Sequence, residues 1–225
     1  MTTSAVLFDM DGVLVDSASL HVRAYEQIYR DAGIELSAAA RDAVREGRPR
    51  SEVIEIALPG AGTAIKQTLF DAKPNAVARL LQTAQDVSMP GATRTVRALA
   101  ERGVAMGVVT NSSAPEIWLK AAGVLEQMSV LITRNKVSSP KPSPEGYLLA
   151  AEQLGVQAAD CIVFEDSLDG WLAATGAGMR TVLVATTRPA WAESSIELVS
   201  TMDRSGVLAL CLPANARKPV ERCKS

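Results

Sequence analysis

A chain of 225 residues that is 48% hydrophobic and 21% charged can bury a full core, which excludes a disordered or collagen-like polymer. Its 23 Lys and Arg against 25 Asp and Glu leave a formal charge of −2, far from the basic stripe of a nucleic-acid binder, so DNA and RNA are not expected partners. A single histidine, His21, and three cysteines without a Cys-x-x-Cys pair make a multi-histidine zinc site or a histidine-dependent triad poor prospects and leave the chemistry to carboxylates.

In chain order, the first strand is expected at residues 5–8, running into Phe8-Asp9-Met10-Asp11-Gly12. From 17 to 88 no strand pattern occurs, only helical runs at 20–32, 52–58 and 76–84, which reads as a helical insertion. Pro90-Gly91 opens a helix that Gly103 closes, and a strand at 104–109 leads to Thr110-Asn111-Ser112. A strand at 130–133 precedes Lys141, framed by Pro140 and Pro142, and Ser143-Pro144 opens a helix that ends at Gly155. A strand at 161–164 ends in Glu165-Asp166-Ser167, a last strand covers 181–185, and the polar stretch after Pro213 is expected to fray. Strands alternating with helices predict an α/β fold whose parallel sheet is covered on both faces. The division expected is a core of 1–16 with 89–225 and a helical domain of 17–88.

Parallel sheets bind ligands beyond the carboxyl ends of their strands, and four such ends here carry chemistry. Asp9 and Asp11, two apart in extended backbone, face one side, where their repulsion is relieved by a divalent cation; a plain Asx turn is the alternative. Thr110-Asn111-Ser112 offers a hydroxyl and amides to phosphate oxygens, or caps a helix. Lys141 is either an ammonium held in a rigid frame or solvated surface. Glu165-Asp166 is a second acidic pair, or the ordinary acidic start of a helix.

Together these motifs resemble those of the haloacid dehalogenase superfamily of phosphotransferases: FDMDGVLVDS, VVTNSS, PKPSPEGYLLAAEQLG and FEDSLDGWLAATGAGM match its four motifs in order. The insertion is similar to the small helical cap of the β-phosphoglucomutase-like branch, set into a Rossmann-like core after the first strand. The resemblance implies that Asp9 is the nucleophile and Asp11 the acid and base. It implies Mg²⁺ on the Asp9 carboxylate, the Asp11 backbone carbonyl and Asp166, with Glu165 close behind. Thr110 and Asn111 would grip the phosphoryl group while Lys141 offsets its charge. The cap would close over the site and select the substrate. In it, Arg50 matches an arginine that contacts a second substrate phosphate, or is a solvated basic turn. His21 would orient Asp11 or the substrate, or is a helix-surface histidine. Lys73 is a further cap candidate, and Asp16 with Ser17 is expected to cap the first cap helix.

The function implied is a Mg²⁺-dependent phosphatase of a small sugar-like or polyol phosphomonoester, working through an aspartyl-phosphate. A sugar-phosphate mutase and a catalytically idle phosphometabolite-binding protein are the alternatives, and Asp11 disfavours dehalogenation. No apolar run reaches the ~18 residues of a membrane helix, and the first residues lack signal-peptide order. The expectation is a cytoplasmic protein, monomeric or weakly dimeric, without a membrane partner.

Overall fold

Residues 3–84 and 86–212 are described by a computed structural model; the expected fraying after Pro213, and Cys223, lie outside them. By their contacts they divide into two compact units, one of residues up to 15 together with those from 88 onward, the other of residues 16–87.

In the first unit, β1 (Ala5–Phe8), β2 (Ala105–Val109), β3 (Val130–Ile132), β4 (Cys161–Glu165), β5 (Arg180–Val184) and β6 (Leu198–Val199) form one parallel sheet in the order β3-β2-β1-β4-β5-β6. Five of these strands fall within a residue or so of the expected positions. β6, only two residues long, is too short to show a periodicity. All four β1 residues are fully buried, as a central parallel strand covered on both faces requires.

The helices of this unit are α5 (Ala92–Ala100), α6 (Glu116–Ala121), α7 (Glu145–Leu154), α8 (Leu168–Gly176) and α9 (Arg204–Cys211), and those of the other unit are α1 (Ser17–Asp31), α2 (Ala38–Arg45), α3 (Arg50–Ala57) and α4 (Thr63–Thr83). On one sheet face Leu7, Val109, Ile132 and Val163 pack with Tyr147, Ala150 and Ala151 of α7 and Ala173 and Ala174 of α8. The alanines let both helices lie close to the strands, and Gly146 closer still, since a Cβ there would come 2.9 Å from Val109 Cγ1. Large apolar side chains buried this way each contribute about 1.5–3 kcal/mol. On β1 and β4, Phe8 and Phe164 stack at 5.8 Å. Outward from β1 the chain builds β2 and β3, then returns to the other side of β1 as β4. The loops leaving β1 and β4 therefore part at their carboxyl ends, where such sheets open a crevice.

The second unit is all helical, around Tyr25, Ile28, Tyr29, Leu36, Val53, Ile54 and Leu69. Asp16 caps α1 through a hydrogen bond from Ser19 N at 3.0 Å, as the sequence reading expects, and Ser17 is its first residue. The sequence reading passes over α2 and places only the end of α4, from residue 76 on. Instead α4 runs through Pro74. A proline inside a helix leaves the carbonyl four residues earlier without its N–H partner, here that of Phe70. Arg50 Nη1 donates to that oxygen at 2.9 Å, and its guanidinium carbon stands 4.4 Å from the centroid of the Phe70 ring. Arg50 thus replaces the hydrogen bond that Pro74 removes.

Arg50→Ala should therefore lower the unfolding free energy by about 1–3 kcal/mol. In a Pro74→Ala background, whose restored N–H satisfies Phe70, the same change should cost clearly less in urea denaturation. Equal costs in the two backgrounds would contradict this account of α4.

Candidate active site

The ladder between β1 and β4 continues one residue beyond β1, where Asp9 N donates to Phe164 O at 2.9 Å. That bond sets Asp9 beside Glu165, the last residue of β4. After Asp9 the chain turns sharply: Leu14 N and Val15 N both donate to Met10 O, and Gly12, at φ 77°, donates to Val15 O at 2.9 Å. A Cβ at Gly12 would lie 2.0 Å from Asp166 Oδ2. Glycine is needed there both for the left-handed backbone and for this approach.

Lys141 reaches into the crevice, its Nζ 2.5 Å from Asp9 Oδ1 and 2.5 Å from Glu165 Oε1, with only 6% of its side chain exposed. The solvated-surface alternative for this lysine is thereby closed. Glu165 is fully buried and saturated: Tyr147 OH donates to Oε1 at 2.6 Å, while Ser167 Oγ at 3.2 Å and Asp166 N at 3.1 Å donate to Oε2. Gly170 leaves the room for it, since a Cβ there would fall 1.9 Å from the carboxylate. Ser167 also accepts from Gly170 N and so caps α8.

Charge in this crevice is unbalanced. Burial pushes the Asp9 carboxyl well above the usual range; Lys141 opposes this, while Glu165, Asp166 and Asp11 add to it. Burial likewise opposes the Lys141 charge, yet Asp9 and Glu165 hold that ammonium above its ordinary range. With Nζ against both carboxylates the ion pair is the state the geometry supports, and the upward pressure on Asp9 comes first from its burial and then from the acidic groups around it. Burial, followed by repulsion from Glu165, raises Asp166 to about 7. Oxygens of Asp9, Glu165 and Asp166 lie within 4.8 Å of one another. An oxygen-only donor set with excess negative charge suits a hard divalent cation such as Mg²⁺. Burial keeps the Tyr147 phenol far above its usual range, so it remains an O–H donor.

Thr110 follows β2, is buried, and accepts from Ser112 N at 3.1 Å. The exposed Asn111 accepts from Lys141 N at 3.3 Å. Neither caps a helix: α6 starts at Glu116 after Pro115, so the capping alternative does not hold for this segment. Asp11 is half-buried and close enough for its charge to raise Asp9. The structure thus brings together Asp9, Asp11, Lys141, Glu165 and Asp166, with Asn111 tied to the Lys141 backbone. His21, Arg50 and Lys73 belong to the helical unit. There Lys73 Nζ lies 3.1 Å from His21 Nδ1, and burial together with neighbouring cations lowers His21 to about 4 and Lys73 to about 8. His21 is consequently neutral near pH 7, accepting at Nδ1. Sequence reasoning missed Tyr147 and Ser167. Tyr147 looks like a core position of α7, and only its hydroxyl hints at a buried partner.

The profile of the haloacid dehalogenase-like hydrolase family matches residues 3–178. The chain is 33% identical over 198 residues to validoxylamine A 7'-phosphate phosphatase of Streptomyces hygroscopicus subsp. limoneus, covering 86% of this chain and 91% of that protein. It is 31% identical over 194 residues to β-phosphoglucomutase of Bacillus subtilis, covering 82% and 84%. A subfamily IA hydrolase of the same superfamily from Geobacter sulfurreducens superposes with a TM-score of 0.77 at 23% identity, covering 92% and 96%, a likeness of fold.

A raised Asp166 binds its proton more tightly in the folded state, so metal-free protein loses stability as pH rises from about 4, the unfolded value, through about 7. A divalent cation removes that penalty by neutralising the ionised carboxylates. Adding Mg²⁺ should accordingly raise Tm more at about pH 8 than at about pH 5.5. Equal gains in scanning calorimetry would contradict the assignment of the carboxylates to a cation.

Proposed function

This chain belongs to the haloacid dehalogenase-like hydrolases and hydrolyses phosphomonoesters, and on that premise we propose that its substrate is a small sugar or polyol phosphate attacked at phosphorus by Asp9. The observation that carries the assignment is the buried ion pair, with Lys141 Nζ 2.5 Å from Asp9 Oδ1. A carboxylate so fixed at a strand end stays ionised and aimed, which a nucleophile requires.

An Asp9 oxygen forms a bond to phosphorus as the ester P–O bond breaks, and Asp11 gives its proton to the departing alkoxide. In the second half Asp11 takes a proton from water, the water oxygen attacks phosphorus, and the bond to Asp9 breaks to release phosphate. Lys141 neutralises charge on the transferring group, and the Thr110 hydroxyl and Asn111 amide orient its oxygens. The Asp9 and Asp166 carboxylates, with the Asp11 backbone carbonyl, would hold a Mg²⁺ ion, which when bound would offset the negative charge of the phosphoryl oxygens. Glu165, whose oxygens are already engaged by Lys141, Tyr147, Asp166 N and Ser167, is assigned to holding Lys141 rather than to ligating metal.

Choice among substrates we assign to the helical unit. Its Lys73 and His21 are the candidates for the distal part of the ester, whereas Arg50 is first a partner of α4. The sugar-like substrate class is supported by the names of the two relatives described above. A mutase reading is favoured by the 31% identity to β-phosphoglucomutase and differs only in whether an alcohol or water accepts the phosphoryl group.

Phosphorus NMR on purified protein with β-glucose 1-phosphate and other sugar phosphates separates the two. Hydrolysis predicts sustained turnover without a bisphosphate primer and one phosphate released per ester consumed. Rapid isomer formation with little phosphate would establish the mutase instead. Asp9→Asn should stay folded and lose turnover, and Asp11→Asn should lose about 10²- to 10⁴-fold; a folded Asp9→Asn protein at the wild-type rate would overturn the nucleophile assignment.

A further inference from the structure

Lys141 carries its charge at the end of a flexible four-carbon stem, on a segment that precedes α7. Holding that ammonium in one place needs a fixed acceptor, and Glu165 is fixed only as well as its own carboxylate is prevented from turning. Oε2 is held from the α8 side, by Asp166 N and Ser167 Oγ. Oε1 is shared by Lys141 Nζ at 2.5 Å and the Tyr147 hydroxyl at 2.6 Å. Tyr147 is fully buried, and Lys141 Nζ stands 5.1 Å from the centroid of its ring. Its backbone follows Gly146, where a Cβ would come 2.9 Å from Val109 Cγ1 on the sheet.

We propose that Tyr147 is a positioning residue for the reaction: its hydroxyl, acting through Glu165, fixes the Lys141 ammonium against Asp9. This rests on the reading of Asp9 as nucleophile and Lys141 as its charge partner. A helix seated on the rigid core thereby sets an ammonium that its own stem leaves mobile. Without the hydroxyl, Oε1 keeps only the ammonium itself as a partner. The carboxylate plane then turns about its terminal torsion, and the ammonium drifts from the line of phosphoryl transfer, where an error near 1 Å is costly. The ring alone fills the core, so a purely structural Tyr147 would tolerate loss of the oxygen.

Tyr147→Phe tests this because it keeps the ring and removes only the hydroxyl. With a small sugar phosphate as substrate, kcat should fall about fivefold to fiftyfold while KM stays within about twofold, since the misplaced charge acts on the transferring group rather than on binding. In a Lys141→Met background the same change should leave the residual rate unaltered, because the group that Tyr147 positions is gone. An unchanged kcat in the single variant, or an equal proportional loss in both backgrounds, would overturn the inference. Asp9→Asn distinguishes the two levels of the argument. If it is inactive while Tyr147→Phe is fully active, this inference alone fails; if it is active, the nucleophile assignment fails and takes this inference with it.

Discussion

A single ammonium, buried between two carboxylates that come from different strand ends, is the interaction on which the site depends. Lys141 lies between Asp9, just past β1, and Glu165, the end of β4. Removing such charges from water costs several kcal/mol per ion and is tolerated only with close geometry and further hydrogen bonds. Glu165 meets that condition, with donors on both oxygens. Asp9 is bonded to Lys141 at one oxygen, while Asp11, Glu165 and Asp166 oppose its charge. Carboxylate oxygens gathered this closely suit a hard divalent cation.

The fold serves this arrangement through ordinary packing. Parallel pairing of β1 with both β2 and β4 puts Asp9 level with Val109 and Glu165, and Thr110 one residue beyond them. Alanines on α7 and α8 bring those helices close enough for Tyr147 and Ser167 to reach Glu165. Two glycines, Gly12 and Gly170, clear the volume that the Asp166 and Glu165 carboxylates occupy. None of these contacts is exotic, and their agreement on one point of space is what gives the site its chemistry.

Sequence reasoning reads the strand ends well, because each joins a short apolar run to polar residues that such a run does not otherwise need. Five strands and the acidic pairs at their ends follow from that pattern, whereas Lys141 stands out by its flanking prolines and the cap of α1 by Asp16 is a helix-start signal. Less local features escape it. The Tyr147 hydroxyl has no sequence signal beyond its chemistry, since its partner lies 18 residues away. The part of α4 before residue 76 goes unread, and the donor that replaces the N–H missing at Pro74, Arg50, comes from a different helix. For Arg50 the same long-range bond adds a structural duty to the basic turn seen in sequence. α2, eight residues with a small-residue face, and β6, with two residues, carry too little pattern to be seen alone.

The central claim is that the carboxylate held by Lys141 becomes covalently bonded to phosphorus. Borohydride reduction of protein quenched during turnover converts an aspartyl-phosphate to homoserine, and peptide mass spectrometry locates the converted residue. The account predicts homoserine at position 9, dependent on substrate and absent from the Asp9→Asn protein. Conversion at another aspartate, or steady turnover with no conversion anywhere while a known aspartyl-phosphate enzyme is trapped in parallel, would contradict it.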